Sequence, residues 1–249
     1  MIDSQLEDGI LTLRMARPPV NAFDTTLVAA LDAELHAAKE KGAEAIILTG
    51  RPGMFSAGLD VPHLLGLDTA KLHAALTGYF TLCSNIARSP IPICCAISGH
   101  SPAGGAVVAI HTDYRIMSEG KYKIGLNETA VGLALPEHLY RAMVYVVGLR
   151  QAERLVVPGM LVSGEEALKV GLIDELVPPE QLETRAKAWC RTLLELPRTA
   201  MLENRAMCRR ILHEAANSFE ISAVQSFVER WQHPDTLNTL MALAKKLGK

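Results

Sequence analysis

The sequence predicts an α/β core followed by an all-helical C-terminal region. Three observations carry that prediction. Short apolar, β-branched runs alternate with helical periodicity as far as Val177, the pattern of βαβ crossovers around a layered sheet. Two of those runs lead straight into glycine-rich turns, at 50–60 and 99–105. After Pro178-Pro179 the pattern is helical throughout. A boundary is therefore expected between residues 1–178, the α/β core, and residues 179–249, the helical region.

Taken in order, Ile10-Leu11-Thr12-Leu13 reads as a strand. It runs into Arg17-Pro18-Pro19-Val20-Asn21, where the prolines favour an extended turn. Asp24 can cap a helix that runs to about Lys41, with Leu27, Val28, Leu31 and Leu35 at helical spacing and Gly42 as its stop. Ala45-Ile46-Ile47-Leu48-Thr49 is apolar on both faces, as a buried strand would be. A second helix covers about 69–88 and is ended by Pro90-Ile91-Pro92. Ile93-Cys94-Cys95-Ala96-Ile97-Ser98 is the next buried strand, Ala106-Val107-Val108-Ala109-Ile110 an apolar helix, and Asp113-Tyr114-Arg115-Ile116-Met117-Ser118 another strand. Helices are expected at about 180–195, 198–215, 217–232 and 235–246. No internal repeat or low-complexity tract interrupts the chain.

A chain of 249 residues with 49% hydrophobic and 21% charged side chains can bury a sizeable core, which excludes disordered, collagenous and coiled-coil classes. The net charge of −2 and 5% aromatic content offer neither the basic field nor the stacking surface that nucleic acid requires. The apolar stretches are too short to enter a membrane as spanning helices. Met1-Ile2-Asp3-Ser4-Gln5-Leu6-Glu7-Asp8 lacks a basic start and an apolar run, so a cytoplasmic location is expected. Five cysteines without a C-x-x-C pair read as reduced thiols, with neither a disulfide frame nor a metal site. Cys94 and Cys95 lie in an apolar run and are expected to be buried.

Few groups in the chain can do chemistry. The two glycine-rich turns follow strands and present backbone N–H groups, which is how an oxyanion is stabilised without a metal; on spacing alone they read more readily as ordinary strand-to-helix turns. Neither is a phosphate loop, since no G-x-x-x-x-G-K-[ST] or G-x-G-x-x-G occurs. Gly99-His100-Ser101-Pro102-Ala103 approaches the G-x-S-x-G elbow of serine hydrolases. Pro102, however, stands where that elbow needs an N–H donor. Glu128 is a carboxylate in apolar surroundings. It is either the start of a helix or a base whose pKa burial would raise. His63, His100 and His111 show no metal-ligand spacing and read as surface or core histidines. Arg205, Arg209, Arg210 and the tail Lys245-Lys246-Leu247-Gly248-Lys249 read as solvated basic faces, of which one or two could meet a phosphate.

Four strings occur in a fixed order: Phe55-Ser56-Ala57-Gly58-Leu59-Asp60, then Gly99-His100-Ser101-Pro102-Ala103-Gly104-Gly105, then Asp113-Tyr114-Arg115, then Gly125-Leu126-Asn127-Glu128-Thr129 with Gly132. Together they resemble the crotonase (enoyl-CoA hydratase/isomerase) superfamily over essentially the whole chain. Within it they look most like the mitochondrial-type Δ3,Δ2-enoyl-CoA isomerases. The resemblance implies a crotonase (ClpP-like) spiral of ββα units over 1–178 and a helical trimerisation region over 179–249. It implies homotrimers or pairs of trimers, an acyl-CoA thioester as substrate, and no cofactor beyond the coenzyme A that is part of the substrate.

By position in the family pattern, the backbone N–H groups of Ala57 and Gly104 are expected to form the oxyanion hole. Glu128 is expected as the catalytic group, with Asn127 beside it. Substrate contacts are expected from Ser56, Ala57, Gly58, Leu59, Asp60, Gly104 and Asn127. Residues 61–79 would shape the acyl pocket, and coenzyme A would pass Pro19-Val20-Asn21-Ala22. The family's hydratases carry a second glutamate on the helix after the Gly-Gly turn; here that position is Val107. The implied reaction is therefore an allylic proton shift, from 3-enoyl-CoA to trans-2-enoyl-CoA, by the single Glu128. The rival readings are another crotonase reaction at the same site, hydration or thioester hydrolysis, and a non-catalytic acyl-CoA-binding protein. A dehalogenase would need an aspartate after the Gly-Gly turn, and none stands there.

Overall fold

Where the sequence alternates apolar runs with helical periods, the computed structural model shows two parallel sheets joined by helices. It describes residues 1–217 and 221–246. The strands are β1 (Ile2–Glu7), β2 (Ile10–Met15), β3 (Ala45–Thr49), β4 (Gly53–Met54), β5 (Ile93–Ile97), β6 (Gly99–Pro102), β7 (Tyr114–Ser118), β8 (Ile124–Gly125) and β9 (Glu175–Val177). Six of them form one sheet in the order β1-β2-β3-β5-β7-β9, and β4-β6-β8 form a second. Only the β1–β2 pair is antiparallel. The helices of the core are α1 (Thr25–Ala37), α2 (Val61–Leu65), α3 (Thr69–Ala87), α4 (Gly104–Ile110), α5 (Glu137–Val147), α6 (Leu149–Val156) and α7 (Gly164–Lys169). Those after the last strand are α8 (Leu182–Leu194), α9 (Arg198–Cys208), α10 (Arg210–Asn217), α11 (Ile221–Trp231) and α12 (Pro234–Lys246).

The topology is a spiral. Each turn runs a long strand in the large sheet, a short strand in the small sheet, and then helix: β3-β4-α2-α3, β5-β6-α4, and β7-β8 followed by α5. Glycines make the corners. A Cβ on Gly99 would fall 1.9 Å from the Gly53 carbonyl carbon, so only glycine lets β6 lie against β4. The large sheet is apolar on both faces for the reason the strings suggested. Leu11, Leu13, Ile46, Leu48, Cys95 and Ile97 face the main core with α1 and α3. Ile10, Ala45, Ile47, Cys94 and Ala96 alternate with them and pack under Leu182, Ala186 and Cys190 of α8. The first helix beyond residue 178 therefore covers the core sheet itself.

Asp24 and Asp68 cap α1 and α3, each accepting an N–H at 2.8 Å, from Leu27 and Lys71. Two expectations are corrected here. Residues 17–21 form the expected turn but a closed one, not extended around its prolines: Asn21 N–H donates to Arg17 O at 2.8 Å, and the Pro18–Pro19 bond is cis. Arg205 and Arg209 are not solvated. Arg205 Nε donates to Asp113 Oδ1 at 2.6 Å, and Arg209 donates to the His111 and Thr112 carbonyls, so both rivet the C-terminal helices to the core. Arg210 is exposed, and residues 247–249 of the basic tail lie outside the described residues. Among the described residues no helix is long and apolar enough to cross a membrane.

Candidate active site

The candidate site is drawn from three pieces of chain: the loop 55–60, the turn before α4, and a one-turn 3-10 helix at Glu128–Val131. The loop is held from behind by residues 17–24. Asn21 is fully buried and donates from Nδ2 to Phe55 O at 3.0 Å. Ser56 Oγ donates to Asn21 O at 2.7 Å and accepts from Gly58 N–H at 3.1 Å. Arg17 reaches across to Asp60 Oδ2 at 2.7 Å, Asp24 Oδ2 at 3.0 Å and Ala22 O at 3.0 Å. The other oxygen of Asp60 caps α2 through His63 N–H at 3.1 Å. Ser56 and Asp60, expected as substrate contacts, thus have their side-chain polar atoms engaged in shaping the loop.

The same network decides which N–H groups stay open. Ala57 N–H donates to Val20 O at 2.9 Å, which corrects its expected place in an oxyanion hole: the donor is already used by the segment behind the loop. Phe23 brackets the next residues, with its N–H on Gly58 O at 2.8 Å and its carbonyl on Asp60 N–H at 3.0 Å. Leu59 N–H, between those two bonds, has no partner among the described residues, and neither has Gly104 N–H. The two lie close together. A Cβ on Gly104 would fall 3.2 Å from Leu59 N, and one on Gly58, where φ is +86°, would fall 3.0 Å from Gly104 N. Glycine is needed at both places to let the two segments touch.

Ala103 precedes α4 with φ 45° and ψ −119°, a conformation that costs a residue with a side chain on the order of 1–3 kcal/mol. It is held on one side by its own N–H, which donates to Gly125 O at 2.8 Å. On the other side the buried hydroxyl of Tyr79 donates to Gly104 O at 2.7 Å. All of α4 is buried and carries only glycine, alanine, valine and isoleucine side chains; Val107 is among them.

Glu128 begins the 3-10 turn, which Gly132 closes at φ 78°. Its carboxyl is buried, with Oε2 unpartnered, and burial pushes its pKa up from 4.5 to about 7. Asn127 Oδ1 is also buried without a partner. The carboxylate lies near enough to Tyr79 to add to the rise in that phenol's pKa, most of which comes from burial. A carboxyl poised near neutrality can take and return a proton, and two open N–H groups can hold an oxyanion beside it. Ser101, in contrast, is fully buried in β6. His111 is a core histidine: burial lowers it to about 4, and its Nδ1 hydrogen-bonds Val107 O at 2.7 Å.

Comparison with known proteins places this architecture. The family model described as Enoyl-CoA hydratase/isomerase matches residues 5–241. The chain belongs to the enoyl-CoA hydratase/isomerase family. It is 31% identical to the mitochondrial enoyl-CoA delta isomerase 1 of Rattus norvegicus, over 99% of this chain and 86% of that protein. It is 33% identical to a probable enoyl-CoA hydratase, echA17, of Mycobacterium avium, over 82% and 79% of the two. The crystal structure of human mitochondrial delta3-delta2-enoyl-CoA isomerase superposes with a TM-score of 0.95 at 30% identity, covering 99% of this chain and 98% of that one. The fold expected from the four strings, the family's ββα spiral with C-terminal helices, is thereby shown. Leu59, expected only as a substrate contact, is the residue of the loop whose N–H is open. It stands in the same loop string as Ala57, and what separates the two is a partner, Val20, more than thirty positions upstream.

Proposed function

We propose that this enzyme of the enoyl-CoA hydratase/isomerase family is an isomerase that converts 3-enoyl-CoA to trans-2-enoyl-CoA in fatty-acid β-oxidation. One observation carries the reading: the buried Glu128 carboxyl is left with an unpartnered oxygen, while Val107 occupies the place of the hydratases' second glutamate. Hydration must both position a water and deliver a proton, whereas an allylic shift needs one base that carries a proton over two carbons.

Glu128 carboxylate takes a proton from C2. The electrons of that C–H bond move into the thioester carbonyl, giving a dienolate whose oxygen is held by Leu59 and Gly104 N–H. The dienolate electrons then flow back from the oxygen, C2=C3 forms as C3=C4 opens, and C4 takes the proton from the Glu128 carboxylic acid. The carboxylate is regenerated and nothing is oxidised or reduced. Buried Val107 helps keep water from the intermediate. Gly58 and Asn127 line the acyl end of the site, and residues 61–79 shape the acyl pocket. A trimer or pair of trimers is the proposed assembly, supported by Met207, Ile211 and Met241, large apolar side chains exposed on the C-terminal helices.

The test is spectroscopic. The conjugated thioester absorbance should rise with cis-3-enoyl-CoA and stay constant with trans-2-enoyl-CoA. A fall with the 2-enoyl substrate would establish hydration instead, the activity named for the mycobacterial relative. Release of free thiol would establish hydrolysis.

A further inference from the structure

We infer that Tyr79 is a positioning residue: its buried hydroxyl holds the turn that presents Gly104 N–H, and its ring sets the place of Leu59 opposite. The inference rests on the proposed role of those two N–H groups. Tyr79 lies on α3 and is 2% exposed. Its hydroxyl donates to Gly104 O at 2.7 Å. The peptide between Ala103 and Gly104 carries the N–H at issue; its carbonyl accepts from Val107 N–H at 2.9 Å, the peptide before it is held by Ala103 N–H on Gly125 O at 2.8 Å, and the peptide after it by the phenol on Gly104 O. The phenol's hold matters because Ala103 sits at φ 45°, where a side-chain-bearing residue relaxes unless its neighbours prevent it. Phenol and glycine also touch closely, since a Cβ on Gly104 would fall 2.9 Å from the Tyr79 oxygen.

The ring reaches the other donor. Its centroid lies 5.4 Å from that of Phe23. Phe23 is the residue whose N–H and carbonyl bond Gly58 and Asp60 on either side of Leu59. One side chain thus contacts the support of both donors, and the spacing between them follows from its packing. Because the hydroxyl is engaged by Gly104 O, Tyr79 acts through the hole and not on substrate.

The experiment compares wild type, Tyr79→Phe, and Tyr79→Phe with Ala103→Gly. Each is assayed for kcat and KM on a 3-enoyl-CoA, for thermal unfolding, and for the fraction of bound 3-ketoacyl-CoA held as its near-ultraviolet-absorbing enolate. Tyr79→Phe should lower kcat about tenfold with KM within about twofold, and lower the enolate equilibrium by a similar factor. Adding Ala103→Gly should restore most of that loss, because glycine adopts the required φ without strain. Unchanged kcat in Tyr79→Phe, a loss confined to KM, failure of both variants to fold, or losses that add without rescue would each overturn the inference. If wild type does not isomerise but does hold the enolate, the isomerase reading fails, and the enolate fractions of the variants still decide the role of Tyr79. If wild type holds no enolate, the role of the N–H groups and that of Tyr79 fall together.

Discussion

Glu128 can be tested as a single residue in two independent ways. Removing its basicity with Glu128→Gln should cut isomerase kcat by about 10³-fold or more while leaving acyl-CoA binding within a few-fold, measured by steady-state kinetics and by titration. Since the proposed base is the carboxylate form, kcat/KM of the wild type should rise with pH as one ionisation centred near 7. A flat profile from pH 5 to 8 would contradict that. The same burial makes a stability prediction. The folded protein holds a proton that the unfolded chain releases between about 4.5 and 7, so this carboxyl favours folding at low pH and that contribution is lost as pH rises through 7. The full loss is on the order of 3 kcal/mol. Glu128→Gln should therefore unfold at higher urea than wild type at pH 8, by about 1–3 kcal/mol, with no such gain at pH 4.5. Glu128 and Gly104 could be picked out as candidates in the sequence because each stands in a fixed string whose proposed chemistry needs that residue type. Leu59 could be picked out only as a substrate contact, because its proposed part as a donor depends on an N–H left open by hydrogen bonds that neighbouring residues make to Val20 and Phe23.

Among the elements, the loop 55–60 is the one whose shape matters most, and Arg17 is its clamp. Asp60 is 4% exposed, so removing the guanidinium takes a charged partner away from a buried carboxylate. Arg17→Met should cost about 3 kcal/mol of stability. It should also lower kcat more than it raises KM, because the loop carries Leu59; thermal unfolding and kinetics check the two parts separately. Long helices were readable from their caps and periodicity: α1 and α3 begin after Asp24 and Asp68. Several elements escaped, three of the strands for plain physical reasons. The strands β4 and β8 are two residues each and exist only through pairing with β6. Strand β1 is an exposed edge with no apolar face to read, although Asp8 and Gly9, both at positive φ, form the Asp-Gly turn that signals a hairpin.

For the whole molecule, buried titratable groups set the response to acid. Burial lowers His111 and His138 from 6.5 to about 4. The folded protein therefore binds fewer protons than the unfolded chain between about 6.5 and 4, and stability falls as pH drops through that window. These two histidines outweigh the opposing gain at Glu128, so the thermal midpoint should fall between pH 6.5 and 4.5, and fall more steeply in Glu128→Gln, which lacks that gain. Architecture was legible at this scale because strand and helix runs alternate visibly up to Val177. The way α8 returns to cover the sheet was not, since nothing in an amphipathic helix names its partner surface. The central claim is that one glutamate carries a proton from C2 to C4 in a site closed to water. Its most direct test uses 3-enoyl-CoA deuterated at C2, turned over in ordinary water, with the product read by mass spectrometry and NMR. Deuterium appearing at C4 is the predicted result; a product in which C4 has gained hydrogen only from solvent would contradict it.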